Sequence, residues 1–337
     1  MIYGHGDDYY NYTGIRANFS SNVNPSGINS GLQTYLKACI EKLNAYPEPL
    51  AESLASLIEQ RKGLPKGSVL VTNGAVEAFY LLASVCEKKK SLIYTPSFSE
   101  YEDACKMYGH SIVFRGNDSF PEEQKTGFDC IWICNPNNPD GRISDSQAIK
   151  KLASENPETL VVADEAYAEF TDKVISLEKA APFLPNLVIV RSLTKRFSIP
   201  GLRLGYLVCS PPAIQKLQKK LMPWRINTLA QEAGKYCFSD QYSDNFNLPE
   251  LLQESRRLQA GINKIEGFSV CSSETSFFLV KGPAETSVLK KELAKKYGIL
   301  IRDASNFKGL SKNHFRLSTQ LPAENNLLTE ALQTWSR

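Results

Sequence analysis

The 337-residue sequence predicts an α/β fold, with a large domain built on a mostly parallel sheet flanked by helices and a small α+β domain beside it. Two observations lead there. Between about residues 47 and 240, short runs that are apolar at every position, such as Cys130-Ile-Trp-Ile-Cys134 and Leu187-Val-Ile-Val190, alternate with longer segments of helical period. Strands buried on both faces read this way, and parallel strands are buried on both faces because crossover helices cover them. After residue 240 the rhythm changes to a long charged helix followed by short strands and helices in turn, the pattern of a small α+β unit.

In order, the strand candidates of the large domain are 68–71, 91–94, 130–134, 160–163, 187–190 and 204–208, with helical segments at 97–109 and 144–155 among those between them. Then come a helix over 248–265, strands near 268–271 and 277–280, a helix over 287–297, strands near 299–302 and 314–318, and a last helix from 322. The opening stretch is too short to fold alone and is expected to pack on the C-terminal part. The expected domains are therefore 46–240 (large) and 1–45 with 241–337 (small).

Composition excludes several classes of function. Apolar residues make up 42% and charged ones 22%, and no stretch approaches the roughly 20 apolar residues that cross a bilayer. The opening Met1-Ile-Tyr-Gly-His-Gly-Asp-Asp8 lacks the basic and then apolar run of a secretory leader. A soluble, cytoplasmic protein without a membrane partner is expected. Lys and Arg total 39 against 36 Asp and Glu, interspersed along the chain, so no nucleic-acid partner is indicated. The eight cysteines form no CxxC pair and read as buried reduced thiols, and the three histidines lack ligand spacing, so no metal is expected.

Five motifs follow apolar runs, where ligands sit in open α/β sheets. Thr72-Asn-Gly-Ala-Val-Glu77 opens a helix, and the free N–H groups of Gly74, Ala75 and Val76 suit an anion. Phe98, in Tyr94-Thr-Pro-Ser-Phe98, offers an aromatic face. Asn138 sits in the turn Cys134-Asn-Pro-Asn-Asn-Pro-Asp-Gly141, with an amide to present. Asp164 ends an apolar strand, where a carboxylate costs free energy unless a cation pairs with it, and Tyr167 follows three residues later. In Arg191-Ser-Leu-Thr-Lys-Arg-Phe-Ser-Ile-Pro-Gly-Leu-Arg203, Lys195 becomes a nucleophile once burial or nearby cations lower its pKa, while Arg203 and Ser192 suit a phosphate. Taken singly, these residues also read as a loop lysine, a helix-capping acid, a turn asparagine, a glycine turn and a core phenylalanine. Their joint presence, in this order, points to a site.

The set resembles fold-type I pyridoxal-phosphate (PLP) enzymes of the class I/II aminotransferase group, in the histidinol-phosphate aminotransferase-like branch, over nearly the whole chain. The resemblance implies the PLP-dependent transferase fold and PLP as cofactor. Lys195 would carry PLP as a Schiff base, Asp164 would pair with the pyridine nitrogen, and Tyr167 and Asn138 would contact the phenolic oxygen. Gly74, Ala75, Ser192 and Arg203 would hold the phosphate, Phe98 would stack on the ring, and Val76 and Thr194 complete the set. Tyr46 matches a tyrosine that the branch lends to the neighbouring subunit, which implies a homodimer. Arg316 stands where the family's arginine grips the substrate α-carboxylate, and Arg302, His5, Ser21 and Asn22 are further substrate-binding candidates.

Within the branch, Met222-Pro-Trp-Arg-Ile-Asn227 and Ser305-Asn-Phe-Lys-Gly-Leu310 are closer to the L-threonine O-3-phosphate decarboxylases of cobalamin synthesis. The implied reaction yields (R)-1-amino-2-propanol O-2-phosphate and carbon dioxide from a small phosphorylated amino acid. The alternatives are a histidinol-phosphate or related aminotransferase and, more remotely, a PLP-fold regulator without catalysis. Two departures stand out. Asp140 replaces the usual threonine, adding negative charge near the cofactor pocket, and Gly4-His-Gly-Asp-Asp8 stands where His-Gly-Gly is common.

Overall fold

The structure is a computed structural model that describes residues 7–120 and 127–336. Strands are β1 (Ala17–Asn18), β2 (Val69–Thr72), β3 (Lys90–Thr95), β4 (Ser111–Gly116), β5 (Cys130–Cys134), β6 (Leu160–Asp164), β7 (Leu187–Ser192), β8 (Gly205–Val208), β9 (Ser269–Val270), β10 (Phe277–Lys281), β11 (Ile299–Leu300), β12 (Arg302–Asp303) and β13 (His314–Ser318). Helices are α1 (Ser30–Ala38), α2 (Glu52–Lys62), α3 (Gly74–Val85), α4 (Glu100–Met107), α5 (Ser146–Glu155), α6 (Leu193–Arg196), α7 (Pro211–Gln218), α8 (Thr228–Cys237), α9 (Leu248–Ile262), α10 (Thr286–Glu292) and α11 (Pro322–Trp335).

Seven strands form the main sheet in the order β2-β8-β7-β6-β5-β3-β4. The neighbours from β7 to β4 pair in parallel, while β8 runs antiparallel to β7 and β2. The expected α/β fold with a mostly parallel, helix-flanked sheet is what forms. Alternate residues of the apolar runs feed two cores. Ile131, Ile133, Val161, Ala163, Leu187 and Ile189 meet Leu54 and Ile58 of α2 and Ile149 and Leu152 of α5. Trp132, Val162, Val188 and Val190 meet Ala78, Phe79 and Leu82 of α3 and Ala104 of α4. Residue type sets the helix starts: Asp145, Asn227 and Asn247 each accept a first-turn N–H with their side chains.

The second layer is the antiparallel sheet β12-β13-β10-β9, whose core joins Phe278, Val280, Phe315 and Leu317 to α9, α10 and α11 through Leu258, Ile262, Leu289, Leu328 and Leu332. The N-terminal segment divides between the two layers. Ala17 and Asn18 pair with Ile299 and Leu300, whereas α1 and the turn after it hold the large sheet's helix α8, with Tyr35 and Lys42 both donating to Glu232.

Three elements differ from expectation. β4 is an edge strand with exposed ends and half-buried centre, so it lacks the fully apolar signature of its neighbours. The run at 299–302 splits at Ile301 because its halves pair with different sheets, β1 and β13. α9 stops at Ile262. All eight cysteines are free, but Cys271 is exposed rather than buried. No described helix is long and apolar enough to cross a membrane.

Candidate active site

The strand order reverses between β3 and β5, and a crevice opens beyond the carboxyl ends of the strands at such a switch point. β3 delivers Phe98 to that edge, β5 Asn138, β6 Asp164 and Tyr167, and β7 Ser192, Thr194 and Lys195, while β2 leads into α3 at Gly74. Because β8 is antiparallel, Arg203 reaches the same edge from before its strand. With Ser21, Asn22 and Arg316, they surround a cavity of about 190 Å³ that Ala75 and Val76 also line.

Asp164 is 4% exposed at the end of β6. Its Oδ2 accepts a 2.5 Å hydrogen bond from the Tyr101 hydroxyl, and its Oδ1 accepts from the Ala166 N–H at 2.9 Å. Burial pushes its pKa up, against the pull of these donors and of the Lys195 and Arg191 charges. Tyr101 escaped the sequence reading. It is fully buried, stacked on Trp132 at 5.6 Å, and only its position one helical turn after Phe98 hinted that it could face the same site.

Lys195 sits on α6, a single turn after β7. Burial, then the charges of Arg316 and Arg203, bring its pKa down to about 8. Arg316, on β13, donates from Nη1 to Asn138 Oδ1 at 2.6 Å and from Nη2 to the Ser20 carbonyl at 2.5 Å. The Asn138 oxygen is thus occupied, leaving its Nδ2 as the group available to a ligand. Burial pushes the Tyr167 hydroxyl up to about 12, although Arg316 opposes the shift.

Arg203 has φ +58° and donates to the Pro200 carbonyl at 2.9 Å. Gly74 has φ +72°, and a Cβ there would lie 2.6 Å from Arg203 Nη2. A Cβ on Gly205 would lie 2.9 Å from the Ala75 nitrogen, so both glycines let Arg203 and β8 close on the start of α3, whose first N–H groups lack intrahelical acceptors. The Ser192 and Thr194 hydroxyls lie 2.8 Å apart. Among the described residues, neither side-chain polar atom of Asn22 finds a partner, nor does Nε of Arg316, although all are buried. Asn22 and Arg316 both line the cavity, where these atoms are within reach of a ligand. A cationic cradle, an aromatic face, a buried carboxylate and an amine of lowered pKa fit a phosphorylated pyridine aldehyde.

Two described candidates, Tyr46 and Arg302, lie outside this cavity. Tyr46 is 84% exposed against Trp224, with ring centroids 5.2 Å apart. Arg302 lines an adjoining cavity of about 490 Å³ that shares Phe98, Asn138 and Arg316 with the first and adds Lys308 and Glu102. His5 falls outside the described residues. Asp140 stands two residues from the lining Asn138, and its charge acts on Cys134 beside Asp164; its Oδ1 accepts from Asn137 Nδ2 at 2.7 Å and from the Arg142 N–H at 3.1 Å, pinning the turn.

Arg302 and Arg316 are direct cross-strand partners on β12 and β13, 6% and 5% exposed. Like charges facing each other destabilise a sheet. Burial and then the Arg316 charge bring Arg302 down to about 10. Arg302 also donates to the Asp303 carbonyl and to Asn306 Oδ1 at 2.9 Å.

Comparison with known proteins agrees with the geometry. The crystal structure of L-threonine-O-3-phosphate decarboxylase from Porphyromonas gingivalis superposes with a TM-score of 0.91 at 36% identity, covering 95% of this chain and 99% of that one. The histidinol-phosphate aminotransferase from Clostridium acetobutylicum gives 0.84 at 29%, with the same coverage. The threonine-phosphate decarboxylase of Salmonella typhimurium is 28% identical over 327 residues, 94% of this chain and 90% of that protein. The family model for aminotransferase class I and II matches residues 17–332, and the chain belongs to this family of PLP-dependent decarboxylases and aminotransferases.

Proposed function

We propose that the protein is a cytoplasmic PLP-dependent decarboxylase of L-threonine O-3-phosphate that serves cobalamin biosynthesis. The observation that carries this reading is the facing pair of buried arginines, Arg302 and Arg316, in a wall shared with the Lys195 cavity. A substrate with two anionic groups offsets their repulsion. The greater likeness to a threonine-phosphate decarboxylase than to a histidinol-phosphate aminotransferase supports carbon dioxide release over amino transfer.

In this reading Arg203, Ser192, Thr194 and the first N–H groups of α3 (Gly74, Ala75, Val76) bind the cofactor phosphate, Phe98 covers the ring, and Tyr167 and Asn138 Nδ2 donate to its phenolic oxygen. Asp164 holds the ring nitrogen protonated. So held, PLP draws electrons from the substrate α-carbon. Arg316 takes the α-carboxylate and Arg302 faces the phosphate, with Ser21 and Asn22 beside them and His5 a further phosphate contact. By fixing the α-carboxylate, Arg316 would orient the substrate, and orientation selects which bond to the α-carbon breaks. Lys195, whose pKa of about 8 leaves a protonated fraction near neutral pH, would deliver the proton that replaces the departing carboxylate at that carbon.

The chain is proposed to act as a homodimer in which Tyr46 reaches the neighbouring site, which accords with its exposure beside Trp224. Incubation with threonine phosphate tests the reaction. Carbon dioxide release with no keto acid formed is expected. Amino transfer from histidinol phosphate without any release would overturn the assignment in favour of the aminotransferase.

A further inference from the structure

Asp7 lines the cavity with Lys195, Arg203 and Arg316, and the role of a carboxylate there is not accounted for by any step above. Asp164 is engaged below by Tyr101 and Ala166. The neighbouring Asp8 is committed to Lys290, with contacts at 2.8 and 2.7 Å. Asp7 is held as well: its Oδ1 accepts from Asn18 Nδ2 at 2.9 Å, and Asn18 Oδ1 accepts from both the N–H and hydroxyl of Ser20, whose carbonyl accepts from Arg316. Among the described residues its other oxygen has no hydrogen-bond partner, and it forms no ion pair. The Asp7 charge nevertheless acts on Lys195 and Arg316 alike, favouring the protonated form of each.

A carboxylate on the wall that Lys195 and Arg316 share would stand near the ligand's α-carbon if the substrate nitrogen comes to the Lys195 end and its carboxylate to Arg316. We propose that Asp7 is a specificity-determining residue that recognises the ammonium group of the incoming amino acid and disfavours the corresponding deaminated acid. This rests on the amino-acid reading of the pocket. It goes further in separating the two reactions of the family, since transamination must also bind a keto acid in this cavity and decarboxylation need not. A carboxylate facing an anion that carries no ammonium adds repulsion where an amino acid adds a charge-assisted hydrogen bond.

The test is Asp7→Asn in the holoenzyme. Asn keeps an oxygen for Asn18 and tolerates the φ of +64° found at this position, so the charge alone is removed. The KM for threonine phosphate, from carbon dioxide release, is compared with the competitive inhibition constant of 3-phosphoglycerate, an acid with no ammonium. Where threonine phosphate is not decarboxylated, glutamate and 2-oxoglutarate replace them. The amino ligand is expected to weaken roughly five- to tenfold, with the deaminated one unchanged or tighter. Equal weakening of both, or no change in either, overturns the proposal. Asp8→Asn loosens the Lys290 anchor but keeps the charge at 7, so it should leave the ratio of the two constants unaltered. A ratio that moves as far as in Asp7→Asn would make the effect one of anchoring and sink the idea. Carbon dioxide release by the unaltered enzyme is measured separately, so failure of the reaction assignment is not mistaken for failure here.

Discussion

A lysine amine attacks or accepts a proton only when neutral, and Lys195 reaches that state near pH 8 because it is buried beside Arg316 and Arg203. The rate at which cofactor-free protein takes up PLP, followed by visible absorbance, should rise with pH and level off above about 8. An unperturbed lysine would keep rising to pH ~10.4. Asp164 poses the converse problem, a carboxylate that burial drives toward the neutral acid. Tyr101 counters this with its hydrogen bond. Tyr101→Phe, which deletes only the hydroxyl, should lower kcat roughly tenfold and shift the pH titration of the cofactor's absorbance; a normal spectrum with normal kcat would remove Tyr101 from the mechanism. The five strand-end motifs were legible because each lies within a few residues of an apolar run. Tyr101 was not, because its partner is 63 positions away in sequence.

At the level of elements, β12 and β13 sacrifice stability to face two arginines inward. An anion bound between them should restore it. Inorganic phosphate or sulfate at millimolar concentration is expected to raise the melting temperature of the PLP-loaded protein, whose cofactor-phosphate cradle is already filled, by a few degrees, following mass action. Arg302→Met should lose most of that increment, measured by differential scanning fluorimetry against chloride at equal ionic strength. An increment unchanged by Arg302→Met would place the stabilising anion elsewhere. From sequence, Arg302 and Arg316 were two separate charges on two short strands, since register is settled by pairing across the sheet and not along either strand. The split of 299–302 between two sheets was hidden for the same reason.

Across the whole molecule, a buried ionic network ties the active-site edge to the rest of the large sheet. Arg191, just before Ser192, lies 3.3 Å from Glu165, 3.2 Å from Glu169 and 3.9 Å from Glu178. Glu178 also accepts from Tyr206 at 2.6 Å and from Lys62 at 3.2 Å. Burial opposes its charge, yet Arg191, Lys62 and Tyr206 together hold its carboxyl down at about 2. A carboxyl depressed on folding stabilises above the ordinary carboxylate range, and that contribution is lost as pH falls toward 2. Glu178→Gln, which leaves a buried arginine less well matched, should cost about 3 kcal/mol at neutral pH, with the gap to the unaltered protein narrowing below pH ~4, as read by urea unfolding. A gap independent of pH would mean that the charge of Glu178 contributes little.

The sequence by itself determined the fold class, most strands of the large sheet and which residues stand at their ends, because doubly buried strands are apolar at every position and ligand-facing side chains sit just past them. It also supplied Lys195, Asp164, Asn138, Tyr167 and Arg203 as a set. Only the tertiary structure decided what those groups face: Tyr101 beneath Asp164, Arg302 opposite Arg316, Asp140 turned into its own loop, Asp7 at the cavity wall. Those relations depend on charges and hydrogen bonds that side-chain direction and strand pairing decide, from three positions apart for Asp140 and Asn137 to 63 for Tyr101 and Asp164, and no local periodicity encodes them.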